Sequence, residues 1–416
     1  MIFFCVFLEV LLVCPCLNFV VVSPVTARVR TLAAAEDDDN KNASLAASQE
    51  DLFAALRARS QELVAEKVDL LSNWRSGTCA SRRVVVLEDD WVRRCAMDYP
   101  LCALGTASGG VHVADLDKEP LSILNRLTGA PEAHPRLVEG QDLRKIYGEF
   151  DGGGVTALAL RGETVVSGGR DGEIKIWLVT PEKFDGLVSE FTHSKGSVVS
   201  SVIITKNDND EDVVFSSSLD GTVRRYDTLI QSEVSRRLPR QWNMTWELQR
   251  GAAVSLCVLS PQLLAVGGEE NVSVFRFDGT EVNELQWPLQ SVCRSLAARE
   301  NYLYAGLSDG KVLRRKLNEK NYDSEEESLV PQHNGPVVSM DTRDSILCTG
   351  GQDGTLRLWD LAQSPPSVLF GFGGFKVWLG SVSCDDARLC SDGSDNTIIL
   401  HDFTKSAEGQ QLKPMN

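Results

Sequence analysis

Four side chains whose types could together do chemistry stand close in one stretch of this sequence: His333, Thr349, Asp353 and Trp359. A histidine, a hydroxyl and a carboxylate are the parts of a nucleophile activated by a base that an acid orients. A second stretch offers His193, Ser216, Asp220 and Tyr226, and a third Ser167, Asp171 and Trp177 with no histidine ahead of it. Repetition argues against catalysis. A polar set that returns along the chain is what repeated scaffolding needs, because buried donors and acceptors must find partners. Other chemistries have no motif here: no Gly-x-Ser-x-Gly elbow, no His-Glu-x-x-His and no Gly-Lys-Ser/Thr phosphate loop. The glycine runs Asp151–Val155 and Gly371–Phe375 sit between strands, not between the strand and helix that cradle phosphate. The five histidines are scattered and no Cys-x-x-Cys pair exists, so no metal and no cofactor is expected. The expectation is a protein that is not an enzyme.

The elements that must position these residues come as a repeat. Segments beginning at Leu101, Thr164, Val213, Leu263, Tyr302, Ile346 and Ala387 share one form: an apolar strand, small residues, a tight turn and a second strand. The turn acid or its equivalent falls at Ser108, Asp171, Asp220, Glu269, Asp309, Asp353 and Asp395, at intervals of 63, 49, 49, 40, 44 and 42 residues. Apart from the first interval, which holds an insertion, these lie near the ~40–45-residue period of propeller blades. Asp-Gly and Gly-Gly turns supply the positive φ that a tight hairpin needs. One small sheet cannot bury both its faces, but sheets stacked around an axis cover one another. After Phe403 the last unit lacks its outermost strand, and Arg83–Leu87 stands as an orphan strand ahead of the first, so it is expected to close the ring. The expected fold is all-β: a seven-bladed propeller preceded by an amphipathic helix.

On these residues, the units resemble the WD-repeat β-propeller family over about residues 81–403. The resemblance implies that His333, Thr349, Asp353 and Trp359, His193, Ser216, Asp220 and Tyr226, and Ser167, Asp171 and Trp177 are structural tetrads inside their blades.

Ahead of the ring, residues 48–76 read as a helix. Ser48 with Asp51 is a capping-box-like start, and Phe53, Leu56, Leu63, Val64, Val68, Leu71 and Trp74 recur mostly at helical spacing up to a stop at Gly77. The junction Asn73-Trp74-Arg75-Ser76-Gly77 between helix and first strand is similar to the linker of F-box/WD-repeat proteins. Those are substrate receptors of cullin-type ubiquitin ligases, so the resemblance implies linker docking by Asn73, Trp74 and Arg75 and capture of a substrate by the propeller. No F-box pattern precedes Ser48; one could lie upstream only if the start is mis-assigned. Residues 1–27 form a hydrophobic leader that reads as a signal or transit peptide, as a retained anchor, or as a mis-assigned start. Residues 28–47 read as an acidic disordered linker and 404–416 as a disordered tail.

Composition bounds the partners. With 42 Lys plus Arg against 58 Asp plus Glu, the net charge is −16, which repels phosphate backbones and disfavours nucleic acid. Most of the eleven cysteines lie in apolar, strand-like runs where a thiol acts as a small hydrophobe. Free thiols suit a reducing compartment such as cytoplasm or plastid, while the leader points to organelle or secretory entry; a plastid-type interior satisfies both. Membrane contact follows only if the leader is retained. Asn42, Asn243 and Asn271 open glycosylation triplets that matter only on the secretory path, and Asn271 sits in an expected strand. Ser324 precedes three glutamates, as an acid-directed kinase would require.

Binding is the expected role. Residues just before the turn acids and the first strands should converge on one face: Arg170, Lys195, Arg250, Asn334, Gln352 and Lys376, with Phe372, Phe375 and Trp378 nearby. A basic, aromatic face on an acidic molecule suits an acidic or phosphorylated peptide. Insertions Asp117–Gly140 and Leu229–Gln241, the latter with Arg236, Arg237 and Arg240, offer further surface. The expected function is a non-enzymatic scaffold or substrate receptor, F-box/WD-repeat-like. The alternative is a secreted or lumenal propeller that binds carbohydrate or acts as an enzyme.

Overall fold

The computed structural model describes residues 39–87, 90–117, 123–126, 133–134, 154–179, 184–193, 196–227, 244–248, 251–317, 326–375, 380–392 and 396–404. The chain divides into two units, Met1–Val64 and Ala65–Asn416, at a boundary within helix α1 (Asp39–Ser76). Alanine and leucine are the commonest residues of α1, and it contains neither proline nor glycine, which favours an uninterrupted helix. Its end is a backbone cap: Gly77 adopts φ +73°, and Thr78 N–H donates to the Asn73 carbonyl at 3.0 Å. Two expectations change here. The helix starts at Asp39, so Ser48 lies inside it rather than capping it, and part of 28–47 is helical rather than disordered. The apolar face is also not buried along its length: Leu56, Leu63, Val64 and Val68 are exposed, and burial is complete only at Trp74. Among the described residues no helix is long and apolar enough to cross a membrane.

Strand β1 (Ala80–Val86) follows, and then the blades run in order. Blade 1 is β2 (Val92–Asp98), β3 (Leu101–Thr106), β4 (Val111–Asp115) and β5 (Ile123–Arg126); blade 2 is β6 (Val155–Arg161), β7 (Thr164–Gly169), β8 (Glu173–Val179) and β9 (Phe184–Thr192). Blade 3 is β10 (Val199–Lys206), β11 (Asp212–Ser218), β12 (Thr222–Asp227) and β13 (Met244–Glu247); blade 4 is β14 (Ser255–Ser260), β15 (Leu263–Gly267), β16 (Asn271–Arg276) and β17 (Trp287–Pro288). Blade 5 is β18 (Cys293–Arg299), β19 (Tyr302–Leu307), β20 (Val312–Lys316) and β21 (Glu326–Leu329); blade 6 is β22 (Val337–Arg343), β23 (Ile346–Gly351), β24 (Leu356–Asp360) and β25 (Ser367–Phe372). Blade 7 contributes β26 (Val382–Cys384), β27 (Arg388–Asp392) and β28 (Thr397–Asp402), and its fourth strand is β1, in the order β1-β28-β27-β26. The fold is a seven-bladed β-propeller closed by the strand nearest the chain start. Asn271 opens a strand, as its sequence context suggests, whereas Gly371 and Phe372 end β25 rather than lying in a turn.

Each pair of neighbouring blades shares one hydrophobic cluster, so every sheet is covered on both faces. The first strands of adjacent blades abut around the axis, and there each seam carries a polar latch. Thr156 Oγ1 donates to Val199 O at 2.6 Å, Ser200 Oγ to Ala253 O at 2.5 Å and Ser255 Oγ to Cys293 O at 3.4 Å. Ser295 Oγ donates to Val337 O at 2.8 Å, Ser339 Oγ accepts Val382 N–H at 2.8 Å, and Ser381 Oγ donates to Cys95 O at 2.8 Å. At the remaining seam Arg94 Nε donates to Thr156 O at 2.7 Å. A hydroxyl is small enough to sit at this crowded radius and still reach the next strand. Hence the Ser/Thr choice at the start of so many inner strands.

The closing strand is fastened from three directions. Ser81 Oγ and His401 Nδ1 share a hydrogen bond of 2.7 Å, and Arg82 Nη2 reaches Leu116 O of blade 1 at 2.5 Å. The helix end joins in: Trp74 is buried, stacks on Phe403 with 3.7 Å between ring centroids, and donates its indole N–H to Asp386 O at 3.0 Å. Asn73 Nδ2 donates to Phe403 O at 2.8 Å, and Arg75 approaches Asp360 at 3.6 Å.

Candidate functional site

In blade 6, β23 and β24 pair so that Leu347 faces Trp359, and the indole N–H donates to Thr349 Oγ1 at 3.1 Å. His333, on the loop before the inner strand, joins Thr349 through Nε2 at 2.9 Å and Asp353 through Nδ1 at 3.2 Å. Asp353 also accepts Asn334 N–H at 2.9 Å and Thr355 Oγ1 at 2.8 Å. Burial would raise the Asp353 carboxyl, but these donors and the His333 ring together hold it below its ordinary value; burial likewise lowers His333. The glycine before this turn is compelled. A Cβ on Gly351 would lie 2.4 Å from His333 Nδ1 and 2.5 Å from Asp353 Oδ1. Blade 2 repeats the arrangement, because Trp177 Nε1 donates to Ser167 Oγ at 3.1 Å. It also has the histidine that its immediate sequence lacks: His134, from the insertion, binds Asp171 at 3.0 Å and Ser167 at 2.9 Å. Blade 3 departs in detail. His193 Nδ1 faces Ser216 Oγ at 2.7 Å while Nε2 reaches Thr222 Oγ1 at 2.7 Å, and Thr222 relays to Asp220 at 2.6 Å. The Tyr226 hydroxyl and Ser216 are 3.4 Å apart. Burial, with the Arg224 charge, drops His193 to about 4.

These sets are enclosed, so the histidines lack the access that a substrate needs. The rim beside them is different. Backbone N–H groups ahead of the turn acids bond to carbonyls at the start of the inner strands: Ala107 to Trp91, Arg170 to Gly154, Leu219 to Val198, Ser308 to Val292 and Gln352 to Pro336. This pattern gathers the residues of those turns around the axis. Arg94 holds the carbonyls of Arg93 and Gly380 at 2.8 and 2.9 Å besides that of Thr156. Burial lowers its guanidinium, against the Asp392 carboxylate, which raises it, and with the weaker push of the Arg294 and Arg170 charges. Asp392 is the acid among them, accepting Gly380 N–H at 2.7 Å and Ser381 N–H at 3.1 Å. Burial pushes it up to about 7 even against these donors and Arg94. Trp91, 57% exposed, stands on the same rim. Among the described residues no group of three or more His, Cys, Asp or Glu could hold a metal ion.

Comparison with protein-family models matches residues 140–177, 186–227 and 325–360 to the WD domain, G-beta repeat. Those segments hold the first three strands of blades 2, 3 and 6, the blades with a hydrogen-bonded set, and the architecture around them has seven blades. The chain is a WD-repeat propeller. No curated protein matches its sequence. Among solved structures, the crystal structure of the computationally designed Ika8 protein is similar at a TM-score of 0.50 and 19% identity, covering 77% of this chain and 99% of its own, a likeness of fold alone. WD-repeat propellers are typically non-enzymatic and fit a protein-interaction scaffold that binds proteins or peptides.

The propeller distributes the expected binding residues unevenly. Arg170 and Gln352 stand on the rim, Asn334 is exposed and Phe375 half-buried. Arg170 itself is 9% exposed, so most of its side chain is already packed. Phe372 is corrected to a core residue: it is buried and stacks on His401 with 4.1 Å between centroids, because β25 turns it toward blade 7. Lys195, Arg250, Lys376 and Trp378 lie outside the described residues, as do residue 324, 229–241 and most of 117–140. Sequence reasoning missed Trp91, Arg94 and Arg294. Their signal was present in the Trp-Val-Arg-Arg and Cys-Arg-Ser runs that open two inner strands.

Proposed function

We propose that the propeller's rim around the axis is a binding mouth for an acidic or phosphorylated segment of a protein partner, and that the molecule acts without catalysis. The observation that carries this reading is the placement of Arg170 on a rim turn, with Arg94 and Arg294 at the openings of inner strands, in a chain of net charge −16. Guanidinium groups present planar paired donors to carboxylate or phosphate, and charge-assisted bonds are about twice as strong as neutral ones. Trp91 adds an aromatic anchor of the kind that dominates binding energy at interfaces. The test is fluorescence anisotropy with labelled acidic and phosphorylated peptides. Arg170→Ala with Arg294→Ala should weaken binding by ~10-fold or more, and added salt should weaken it in the unmodified chain. Binding indifferent to both changes would remove the proposal.

The finer role, a substrate receptor of F-box/WD-repeat type, is supported by the junction at Asn73, Trp74 and Arg75, which meets blades 6 and 7. A Skp-type adaptor retained by the full chain would support that role. Peptide binding without an adaptor would support the scaffold role alone.

A further inference from the structure

The molecule's unused chemistry is sulfur, and it is concentrated beside the composite blade. All eight cysteines among the described residues are free. Cys95, Cys102 and Cys390 share with Met97 the cluster between blades 1 and 7; Cys79, Cys348 and Cys384 share the cluster between blades 6 and 7. Cys102 on β3 and Cys390 on β27 have sulfurs 3.7 Å apart, with both side chains fully buried. Cys95, 3.8 Å from Ser381 O, is a second thiol beside Cys390. A disulfide needs ~2.05 Å between sulfurs, so the two thiols, already in contact, must draw closer as the bond forms. The place matters. This seam joins the first and last blades, and β1 closes it by backbone pairing, side-chain hydrogen bonds and packing, with no covalent link.

We propose that Cys102 and Cys390 are a latent disulfide pair, by which an external low-molecular-weight disulfide seals blade 1 to blade 7. When the seam opens, one thiol gives its proton to solvent and its thiolate attacks a sulfur of the external disulfide. The S–S bond breaks, one external thiolate leaves and takes up a proton, and a mixed disulfide remains. The second cysteine, deprotonated in turn, attacks the protein-side sulfur of that mixed disulfide and expels the second external thiol. Two protein thiols are oxidised, and one external disulfide is reduced to two thiols. The closed ring resists the reaction: its neighbouring thiols and burial hold Cys390 well above the ordinary thiol range and keep the reagent out. Locking therefore belongs to surroundings that are oxidising while the ring assembles or breathes. In reducing surroundings the seam stays free to open.

The experiment uses the full reduced chain, held a few degrees below its melting temperature with excess oxidised glutathione, then alkylated and mapped by mass spectrometry. The expected product links Cys102 to Cys390 and melts ~5–10 °C higher, and dithiothreitol reverses both changes. Cys390→Ser and Cys102→Ala should each abolish the gain, and Cys257→Ser should keep it. Should either seam variant fail to fold by circular dichroism, the map of the unmodified chain decides alone. Free thiols at both positions, glutathione attached to each, or Cys95 joined to Cys390 would each overturn the assignment. A correct link without a rise in melting temperature would overturn the sealing role.

Discussion

Blades 2, 3 and 6 and blades 1, 4, 5 and 7 have the same four-stranded form but different interiors. The first group closes each sheet with a hydroxyl, a histidine, an acid and an aromatic. In the second, the strand registers place Leu104, Val266 and Ala305 where the hydroxyl would stand, each with no exposure, and Ala114, Phe275 and Arg315 where the indole would stand. In blades 1 and 4 acceptor and donor have been lost together; in blade 5 Arg315 turns its donor to Gln286 O at 2.7 Å. A buried indole N–H without its hydroxyl would cost ~1–3 kcal/mol, whereas replacing both by apolar groups can be nearly neutral. Blade 1 keeps a remnant with the roles exchanged: Asp90 on the loop accepts from Ser108 on the turn, through N–H at 3.0 Å and through the hydroxyl. Blade 7 is intermediate. It keeps Ser391 but has His401 in the indole position, and among the described residues neither Ser391 Oγ nor His401 Nε2 has a partner. Its stability must come from elsewhere, from the stack of Phe372 on His401 and from Trp74. The blade form thus needs alternating strands, turns and a covered face; the polar set is one of several ways to finish it.

The largest effects should come from the two indoles that finish blades 6 and 7. Trp359→Ala and Trp74→Ala should each cost ~3–5 kcal/mol in urea unfolding, since each leaves a large cavity. If Trp74→Ala costs less than 1 kcal/mol, the helix end is not what completes blade 7. Next, Asp353→Ala should cost ~2–3 kcal/mol because it strands several buried donors, and Asp90→Ala ~1 kcal/mol. Equal losses would mean that the complete set is no stronger than its remnant.

Acid should separate the blades by sign. Burial lowers His193 and His401 to about 4 from 6.5, so both stay neutral in the fold while the unfolded chain binds protons. Stability present above 6.5 is therefore lost as pH falls toward 4. Asp392, raised by burial from 3.8 to about 7, acts oppositely: its contribution is complete at low pH and is lost as pH rises through 7. Melting temperature should fall between pH 6.5 and 4.5. His193→Asn should flatten that fall and Asp392→Asn should steepen it; the reverse order would refute the assignments. The smallest effect belongs to the inner ring, where Ser200→Ala should cost ~1 kcal/mol in the same urea measurement. A loss of several kcal/mol there would make the latches, not the blade interiors, the chief support.

Much of the fold was legible in the chain because its signals are local. Turn acids followed by glycine repeat at nearly even intervals, and Gly172, Gly221, Gly310 and Gly354 all take positive φ as such hairpins require. The orphan strand could be matched to the last unit because an open sheet edge needs a partner. The site was less legible for the opposite reason. His134 lies 33 residues before Ser167, against 16 for His333 and Thr349, so spacing concealed it. Phe372 looked like a rim residue until strand register turned it inward, and the helix proved longer and less buried than its apolar spacing suggested.

Alternation, turn chemistry and period are properties of a few consecutive residues, and they alone determined that small antiparallel sheets would form and stack in a ring of seven. Which histidine completes blade 2, which carbonyls Arg94 holds and which two thiols touch across the closing seam depend on residues brought together from dozens to hundreds of positions apart. Only the closed ring, by choosing which strand lies against which, decided those.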